Sequence, residues 1–116
     1  MIAQKFRLSR WRVQKLLKQP DSKKIGFFIV KYLSNKVARN RWSIVISKKI
    51  EKSAVGRNLK RRQIYEAIRL TTKETTECKQ GFDLLLIPHK QIVTCNYQKI
   101  HQNVRDIFKF LSSIGS

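Results

Sequence analysis

One stretch of the chain, residues 47–69, decides how the rest is interpreted, and it reads SKKIEKSAVGRNLKRRQIYEAIR. On a helical wheel with residue 57 at zero, one arc from about 200° round to about 20° holds the apolar residues Leu59, Ile64, Ala67, Ile68 and Leu70. The side chains between about 40° and 140° are Asn58, Arg61, Arg62, Tyr65 and Arg69. The stretch therefore predicts a helix with one apolar face and one cationic face, the latter holding an amide and an aromatic ring.

The cationic face has few acids to neutralise it. Glu66 is the only acid nearby, and Arg57, Arg61 and Arg69 have no evident partner along the helix. The planar guanidinium suits phosphate oxygens and stacks on bases, whereas mixed Lys and Glu would suffice for solubility. The pattern favours contact with nucleic acid.

The composition of the whole chain agrees with a nucleic-acid partner. The 116 residues include 26 Lys and Arg against 7 Asp and Glu, a formal charge of +19. Such self-repulsion favours a polyanionic partner that offsets it. Residues 1–72 hold 20 of the 26 basic residues, so we expect them to build the binding surface and the last third to complete the core. The length and the 41% hydrophobic content predict one domain over residues 1–116.

Several classes of protein are excluded by the same sequence. It has no run of eighteen apolar residues to span a membrane and no apolar segment behind its first charges to act as a secretory signal. Cys78 and Cys95 form no CxxC pair, which fits a reducing cytoplasm. The two histidines, His89 and His101, lie too far from paired cysteines for a zinc site. We predict a cytoplasmic protein without a metal ligated by its side chains, and no role is assigned to these four residues.

Hydrophobic periodicity predicts an α-β-β-α-β-α order around one mixed sheet. The predicted helices cover residues 9–19, residues 57–71 and a C-terminal segment with Asn96 as its N-cap. Three strands are predicted: the first begins at Gly26, the second covers residues 42–47, and the third covers residues 82–87. Trp42 shares its strand face with Ile44 and Ile46, so we predict that it belongs to the core.

Residues 41–69 also resemble a known family, the protein component of bacterial ribonuclease P. A strand ends in Ser-Lys-Lys, a short basic connection follows, and Ala-Val-x-Arg-Asn-x-x-(Lys/Arg)-Arg opens a helix, which is similar to the family's RNR motif. Arg57 and Asn58 match its first two positions, and Arg61 and Arg62 match the basic pair that follows.

Two positions of the helix depart from the family pattern. Leu59 stands where the family usually has a third arginine, and Tyr65 stands where a further arginine is common. Lys60 and Arg69 restore some of the charge. Outside this helix the order of elements resembles the family over essentially the whole chain.

The resemblance implies an α+β two-layer sandwich, similar to the second domain of ribosomal protein S5. The family's sheet contains a left-handed β-α-β crossover, against the usual right-handed rule. Here it would run from the strand at residues 42–47 through the basic helix to the strand at residues 82–87.

The resemblance also implies a function, removal of the 5′ leader from precursor tRNA by a ribonucleoprotein endoribonuclease. The catalyst is then the RNA subunit, and Mg²⁺ is held by RNA and substrate. The seven acids are scattered along the chain and form no close pair for a two-metal site, which agrees with this expectation. The implied partners are ribonuclease P RNA and the leader of precursor tRNA, with no membrane and no obligate protein partner.

The resemblance implies two surfaces. RNA-subunit contact is predicted for Lys48, Lys49, Lys52, Arg57, Asn58, Lys60, Arg61, Arg62 and Arg69. Leader contact, in a cleft between the sheet and the first helix, is predicted for Trp11, Val13, Leu17, Phe28, Val30, Ser43, Val45 and Ser47. Strand alternation places one of Phe27 and Phe28 in the core and the other in the cleft without deciding which. A basic arm of Lys5, Arg7, Arg10 and Arg12 would reach RNA as well.

Two other classes of function fit part of the pattern. A ribosomal or general RNA-binding protein without an enzymatic role fits the composition equally well, and only residues 41–69 argue against it. A sequence-specific DNA-binding protein fits less well, because a strand and not a helix-turn unit leads into the basic helix.

Overall fold

The computed structural model of the protein describes residues 10–18, 22–34, 40–74 and 81–115. The helices are α1 (Arg10–Leu17), α2 (Ala54–Glu74) and α3 (Tyr97–Gly115), and a short 3₁₀ helix at Lys90–Val93 precedes α3. The strands are β1 (Ser22–Ile25), β2 (Phe28–Ser34), β3 (Arg41–Ile44) and β4 (Phe82–Pro88). The side chains of the expected basic arm (Lys5, Arg7, Arg10 and Arg12) and Cys78 lie outside the described part of the chain.

The strands form one mixed sheet in the order β1-β2-β4-β3, which confirms the predicted α+β class. β1 pairs with β2 and β2 with β4 in antiparallel fashion, whereas β3 and β4 run parallel. Parallel neighbours need a crossover connection, and α2 supplies it. The left-handed sense of this crossover stays a prediction from the family resemblance.

The predicted element order is wrong by one strand, because β1 was not recognised. Its sequence, Ser-Lys-Lys-Ile, has almost no apolar periodicity, and three of its four residues are exposed. β1 lies at the edge of the sheet, where lysines are favoured because they discourage pairing with other chains.

The turn between β1 and β2 requires a glycine. Gly26 has φ of +57°, and a Cβ there would lie 1.4 Å from Oδ1 of Asn103. That oxygen accepts a hydrogen bond of 3.1 Å from the Phe27 backbone N–H. Asn103 belongs to α3, so this contact fastens the hairpin to the C-terminal helix.

The main core lies between one face of the sheet and the helices α2 and α3. Phe28, Val30, Leu84 and Leu86 point to this face and are fully buried there. Trp42 is buried as predicted, and its ring stacks on that of Phe108 at 5.4 Å between centroids. Asn96 caps α3 as predicted, accepting a hydrogen bond of 3.0 Å from the Lys99 backbone N–H. The sheet, α2 and α3 thus make the two layers of the sandwich.

Helix α1 packs on the opposite face of the sheet. Leu16 of α1 and Leu85 of β4 are buried but stand apart from the main core cluster. The Lys31 ammonium donates a hydrogen bond of 2.9 Å to the Leu17 carbonyl at the end of α1. Since α1 has only eight residues, it covers only part of this face.

An ion pair lies on the α1 side of the sheet, where β3 and β4 begin. Arg41 and Asp83 are register partners, and the guanidinium donates two hydrogen bonds to the carboxylate, of 2.8 and 3.0 Å. The Asp83 side chain is 2% exposed. A buried carboxylate needs such a partner, so this pair joins the two parallel strands at their start.

Candidate nucleic-acid interface

The start of α2 is organised by the residues just before it. The Ser53 hydroxyl caps the helix by accepting a hydrogen bond of 3.1 Å from the Gly56 backbone N–H. The Glu51 carboxylate accepts one of 3.0 Å from the Ser53 backbone N–H. These contacts fix the direction in which the basic residues of α2 project.

Arg57 stabilises this connection through its guanidinium. Its Nη1 donates hydrogen bonds to the carbonyls of Glu51 and Lys52, at 3.0 and 2.9 Å. The predicted contact of Arg57 with the RNA subunit is therefore combined with a structural contact that spacing along the helix does not reveal.

Replacing Arg57 with alanine should lower the free energy of unfolding by about 1–2 kcal/mol, because two backbone carbonyls lose a charged donor. Arg61→Ala is the matched control, since within the described residues Arg61 donates only to the exposed Asn58 side chain. Urea unfolding of both variants measures the difference. Equal stability of the two variants would contradict the structural role of Arg57.

The remaining basic residues on the outer side of α2 differ in their partners. Arg61 donates a hydrogen bond of 2.7 Å to the Asn58 side chain. Arg62 is exposed and has no hydrogen bond or ion pair within the described part of the chain. We call Asn58, Arg61, Arg62 and Arg69 the basic helix face.

The prediction that Arg69 has no helical partner is wrong. Its Nε donates a hydrogen bond of 3.1 Å to Glu66, one turn earlier, and a second bond joins the same two side chains. The Arg69 guanidinium lowers the pKa of the Glu66 carboxyl, which is therefore ionised at neutral pH. Both groups are exposed enough that a phosphate can compete for Arg69.

Four lysines were also predicted to contact the RNA subunit. Lys48, Lys49 and Lys52 are exposed in the connection that leads into α2. Lys60 is placed differently, because its ammonium donates a hydrogen bond of 3.2 Å to the Cys95 carbonyl just before α3. Lys60 thus joins α2 to the start of α3 and lies away from the basic helix face.

Two residues of α2 differ in burial from what the helical wheel predicts. Tyr65, expected among the cations, is buried in the core at 5% exposure. Leu59, expected on the apolar face, is 52% exposed. The wheel misplaces both because the buried arc of α2, which holds Ile64, Ala67 and Ile68, extends to Tyr65 and leaves Leu59 outside.

A second candidate surface is the part of the sheet that α1 leaves uncovered. Lys31, Leu85 and Ser43 are register neighbours and therefore point to the same face. Val45 follows by alternation, and its backbone N–H donates a hydrogen bond of 3.0 Å to Leu86. We give the name open sheet face to five of the half-buried side chains on this side, Ile29, Lys31, Ser43, Val45 and Ile87.

The predicted cleft residues are only partly brought together. Phe28 and Val30 are wrong as cleft residues, since both are fully buried in the core on the other side of the sheet. Phe27 is also buried in that core, so neither phenylalanine lines the open sheet face. Ile29 and Lys31 occupy the positions expected of Phe28 and Val30, and they were missed because the strand register was unknown.

The α1 residues surround this face in different ways. Val13 and Leu17 flank the buried Leu16 on the wheel, within about 100° of it, and are half-buried and exposed respectively. Trp11 is 60% exposed and lies about 140° from Leu16, with the Lys15 ammonium 6.0 Å from its ring centroid. Ser47 is exposed in the turn after β3.

The acids, histidines and cysteine of the described part of the chain form no metal site. No three of these side chains come together there as ligands. Asp83 and Glu66 are paired with arginines, and Glu51 accepts a hydrogen bond at the helix cap. Burial raises the pKa of the Cys95 thiol, so it is protonated at neutral pH and is a poor nucleophile.

The described residues contain no helix that is long and apolar enough to cross a membrane.

Known proteins were compared with this sequence and fold. The family model described as Ribonuclease P matches residues 3–112. The ribonuclease P protein component of a Thermoanaerobacter species is 30% identical over 107 residues, covering 84% of this chain and 89% of the relative. The ribonuclease P protein component of a Synechocystis species is 28% identical over 105 residues, covering 89% of this chain and 82% of the relative.

Two solved structures share the fold. The ribonuclease P protein of Thermotoga maritima superposes with a TM-score of 0.72 at 22% identity, covering 92% of this chain and 96% of the other. The ribonuclease P protein of Staphylococcus aureus superposes with a TM-score of 0.69 at 23% identity, covering 90% of this chain and 94% of the other. The similarity therefore extends over nearly all of each chain.

Proposed function

The chain belongs to the family of ribonuclease P protein components, and from this premise we propose that it binds ribonuclease P RNA and helps it remove the 5′ leader of precursor tRNA. The observation that carries this proposal is the basic helix face. Arg62 is exposed and has no partner among the described residues, it stands beside Arg61 and Arg69, and the exposed lysines of the preceding connection extend the same surface.

The basic helix face is suited to the backbone of a folded RNA. Guanidinium groups bind phosphate oxygens through two parallel hydrogen bonds, and such contacts position a protein without reading sequence. Lys48, Lys49 and Lys52 add point charges beside it. This surface is proposed to dock on the RNA subunit.

The open sheet face is proposed to receive the single-stranded leader. Ser43 and Val45 offer a small polar group and an apolar group, and Lys31 supplies a cation for the backbone. The Trp11 ring is 60% exposed, and an aromatic ring suits base stacking, worth about 1–3 kcal/mol per base. Contacts of this kind tolerate many sequences, as binding of different leaders requires.

Catalysis is assigned to the RNA subunit. The described acids Glu51, Glu66, Asp83 and Asp106 are engaged with the backbone, with arginines or with the Gln102 side chain, and they do not fit a magnesium site. The chemistry expected of magnesium, activation of the attacking water, is therefore assigned to ions held by RNA. The chain's own residues would bind and orient the two RNAs. A cytoplasmic location accompanies this proposal.

A charge placed on the open sheet face tests the leader contact. In a holoenzyme assembled with a bacterial ribonuclease P RNA, Ser43→Glu should weaken binding of precursor tRNA about tenfold, because the carboxylate repels leader phosphates. Binding of mature tRNA, which lacks the leader, should not change. Gln98→Glu, at an exposed position of α3, is the charge-matched control. If Ser43→Glu weakens the binding of precursor and mature tRNA equally, the leader does not bind the open sheet face.

A further inference from the structure

A groove lies between the first half of α2 and the start of α3. Its volume is about 380 Å³, and its lining residues are Leu59, Arg62, Gln63, Glu66 and Tyr97. Known ligand sites run from roughly 300 to 1,000 Å³, so the groove has room for one small flat group. Arg62 belongs both to the groove and to the basic helix face, so the groove opens at the edge of the proposed RNA-binding surface.

One wall of the groove holds a hydrogen-bond acceptor that is not used. The side-chain oxygen Oε1 of Gln63 is buried and accepts no hydrogen bond from the described part of the chain. Buried polar atoms are nearly always paired, and the Gln63 side chain is half-buried, so a turn of its amide toward the groove brings this oxygen to a donor from outside. The Glu66 carboxylate lies in the same groove and is ionised, since the Arg69 hydrogen bond lowers its pKa. The groove therefore favours a ligand that donates.

The other walls are suited to a flat ring. Leu59 is 52% exposed although it is a large aliphatic residue, and Tyr97 presents an aromatic side chain across the groove. Apolar and aromatic surfaces are what an unstacked base contacts in single-stranded RNA recognition. The Arg62 guanidinium at the rim suits the phosphate attached to such a base.

We propose that this groove holds one unpaired nucleobase of the RNA subunit, and that the Gln63 amide turns into the groove so that Oε1 accepts a hydrogen bond from an exocyclic amine of that base. The ring lies against Leu59 and Tyr97, and the flanking phosphate contacts Arg62. Adenine, cytosine and guanine carry such an amine, whereas uracil does not. The inference rests on the proposed function, because it names a contact within the proposed RNA-binding surface.

The inference also accounts for a departure from the family motif. Leu59 stands where the resemblance leads us to expect an arginine. A leucine at that position replaces a contact with phosphate by an apolar contact with a base. The surrounding charge, from Arg61, Arg62 and Arg69, favours RNA over a protein as the occupant.

Chemical probing of the RNA subunit tests the proposal. Dimethyl sulfate reports adenine and cytosine, and kethoxal reports guanine, on the RNA alone and on its complex with the protein. We expect one unpaired base to be protected by the protein and to lose that protection with Gln63→Leu and with Leu59→Ala. Val55→Ala is the matched control, because Val55 is a 79% exposed aliphatic residue of α2 outside the groove.

Affinity and stability give a second, independent readout. Gln63→Leu and Leu59→Ala should each weaken RNA binding about 3- to 10-fold, while Val55→Ala leaves it unchanged. Gln63→Leu removes an idle buried acceptor, so its melting temperature should be equal to or higher than that of the original protein. A residue with a merely structural role would show the opposite, a lower melting temperature with unchanged RNA affinity.

The outcomes separate this inference from the proposed function. If RNA binds and leader cleavage is reconstituted, but no base depends on Gln63 and Leu59 for its protection, the inference is wrong and the proposed function stands. The inference also fails if the protected base lies only in precursor tRNA, or if Leu59→Ala changes the oligomeric state instead of RNA affinity. If the protein neither binds the RNA subunit nor stimulates cleavage, the proposed function fails as well.

Discussion

Replacing Arg61 and Arg62 together with alanine is expected to weaken binding of ribonuclease P RNA by roughly 10- to 100-fold at low salt, because each charged hydrogen bond to a phosphate contributes about 1.5–3 kcal/mol at most. The fold should hold, since neither side chain makes a hydrogen bond or ion pair with a buried group in the described part of the chain. Arg61 donates only to Asn58, and Arg62 has no partner in the described part of the chain. Filter binding or fluorescence anisotropy with the RNA subunit measures the change.

The salt dependence of this variant is equally informative. Loss of two phosphate contacts should make the plot of log affinity against log salt shallower by about 1.4–1.8, since each contact contributes about 0.7–0.9. Lys90→Ala with Lys109→Ala is the charge-matched control, because both lysines are exposed and lie outside α2. If the control weakens binding as much as the α2 variant, net charge and not the basic helix face determines affinity.

Arg41→Met should destabilise the fold more than any surface substitution discussed above. It leaves the Asp83 carboxylate, 2% exposed, without the bidentate guanidinium that now faces it. Removing one partner of a buried ion pair commonly costs about 3–5 kcal/mol. Urea unfolding of the protein, followed by circular dichroism, measures the loss.

A double variant separates the ion pair from simple packing. Arg41→Met combined with Asp83→Leu removes both charges, so much of the stability lost in Arg41→Met should return. The two residues are neighbours in the parallel ladder, and their effects should therefore be strongly non-additive. Additive losses in the double variant would mean that the pair does not couple β3 to β4.

The sequence predicts those features that depend on periodicity within one element. Helix α2, the nearly continuous apolar strand β4 and the Asn96 cap of α3 all follow from local patterns. The exposed Arg62 and the half-buried Arg61 also follow, because both lie outside the apolar arc that the helical wheel predicts. These predictions need no knowledge of how the elements meet.

Features that depend on contacts between elements could not be predicted. The cleft assignment failed at Phe28 and Val30 because both faces of β2 carry apolar residues, and only pairing with β4 decides which face is covered by α2 and α3. The edge strand β1 could not be predicted because its sequence, with two lysines, lacks the apolar-polar alternation of a strand.

Hydrogen bonds from side chains to backbone carbonyls also could not be predicted from the sequence. Arg57 donates to two loop carbonyls and Lys60 to that of Cys95, and a carbonyl leaves no mark on residue type. Tyr65 is buried because it belongs to the main core cluster, which other elements complete, and the pattern of one helix does not show such contacts.

The most direct test of the proposed function is reconstitution of leader cleavage. The protein is mixed with a bacterial ribonuclease P RNA and a precursor tRNA at low magnesium, where the RNA alone cleaves poorly. We predict strong stimulation, a mature 5′ end on the product, and no cleavage when the RNA subunit is omitted. No stimulation, together with equal binding to unrelated structured RNAs, would contradict the account and indicate a general RNA-binding protein.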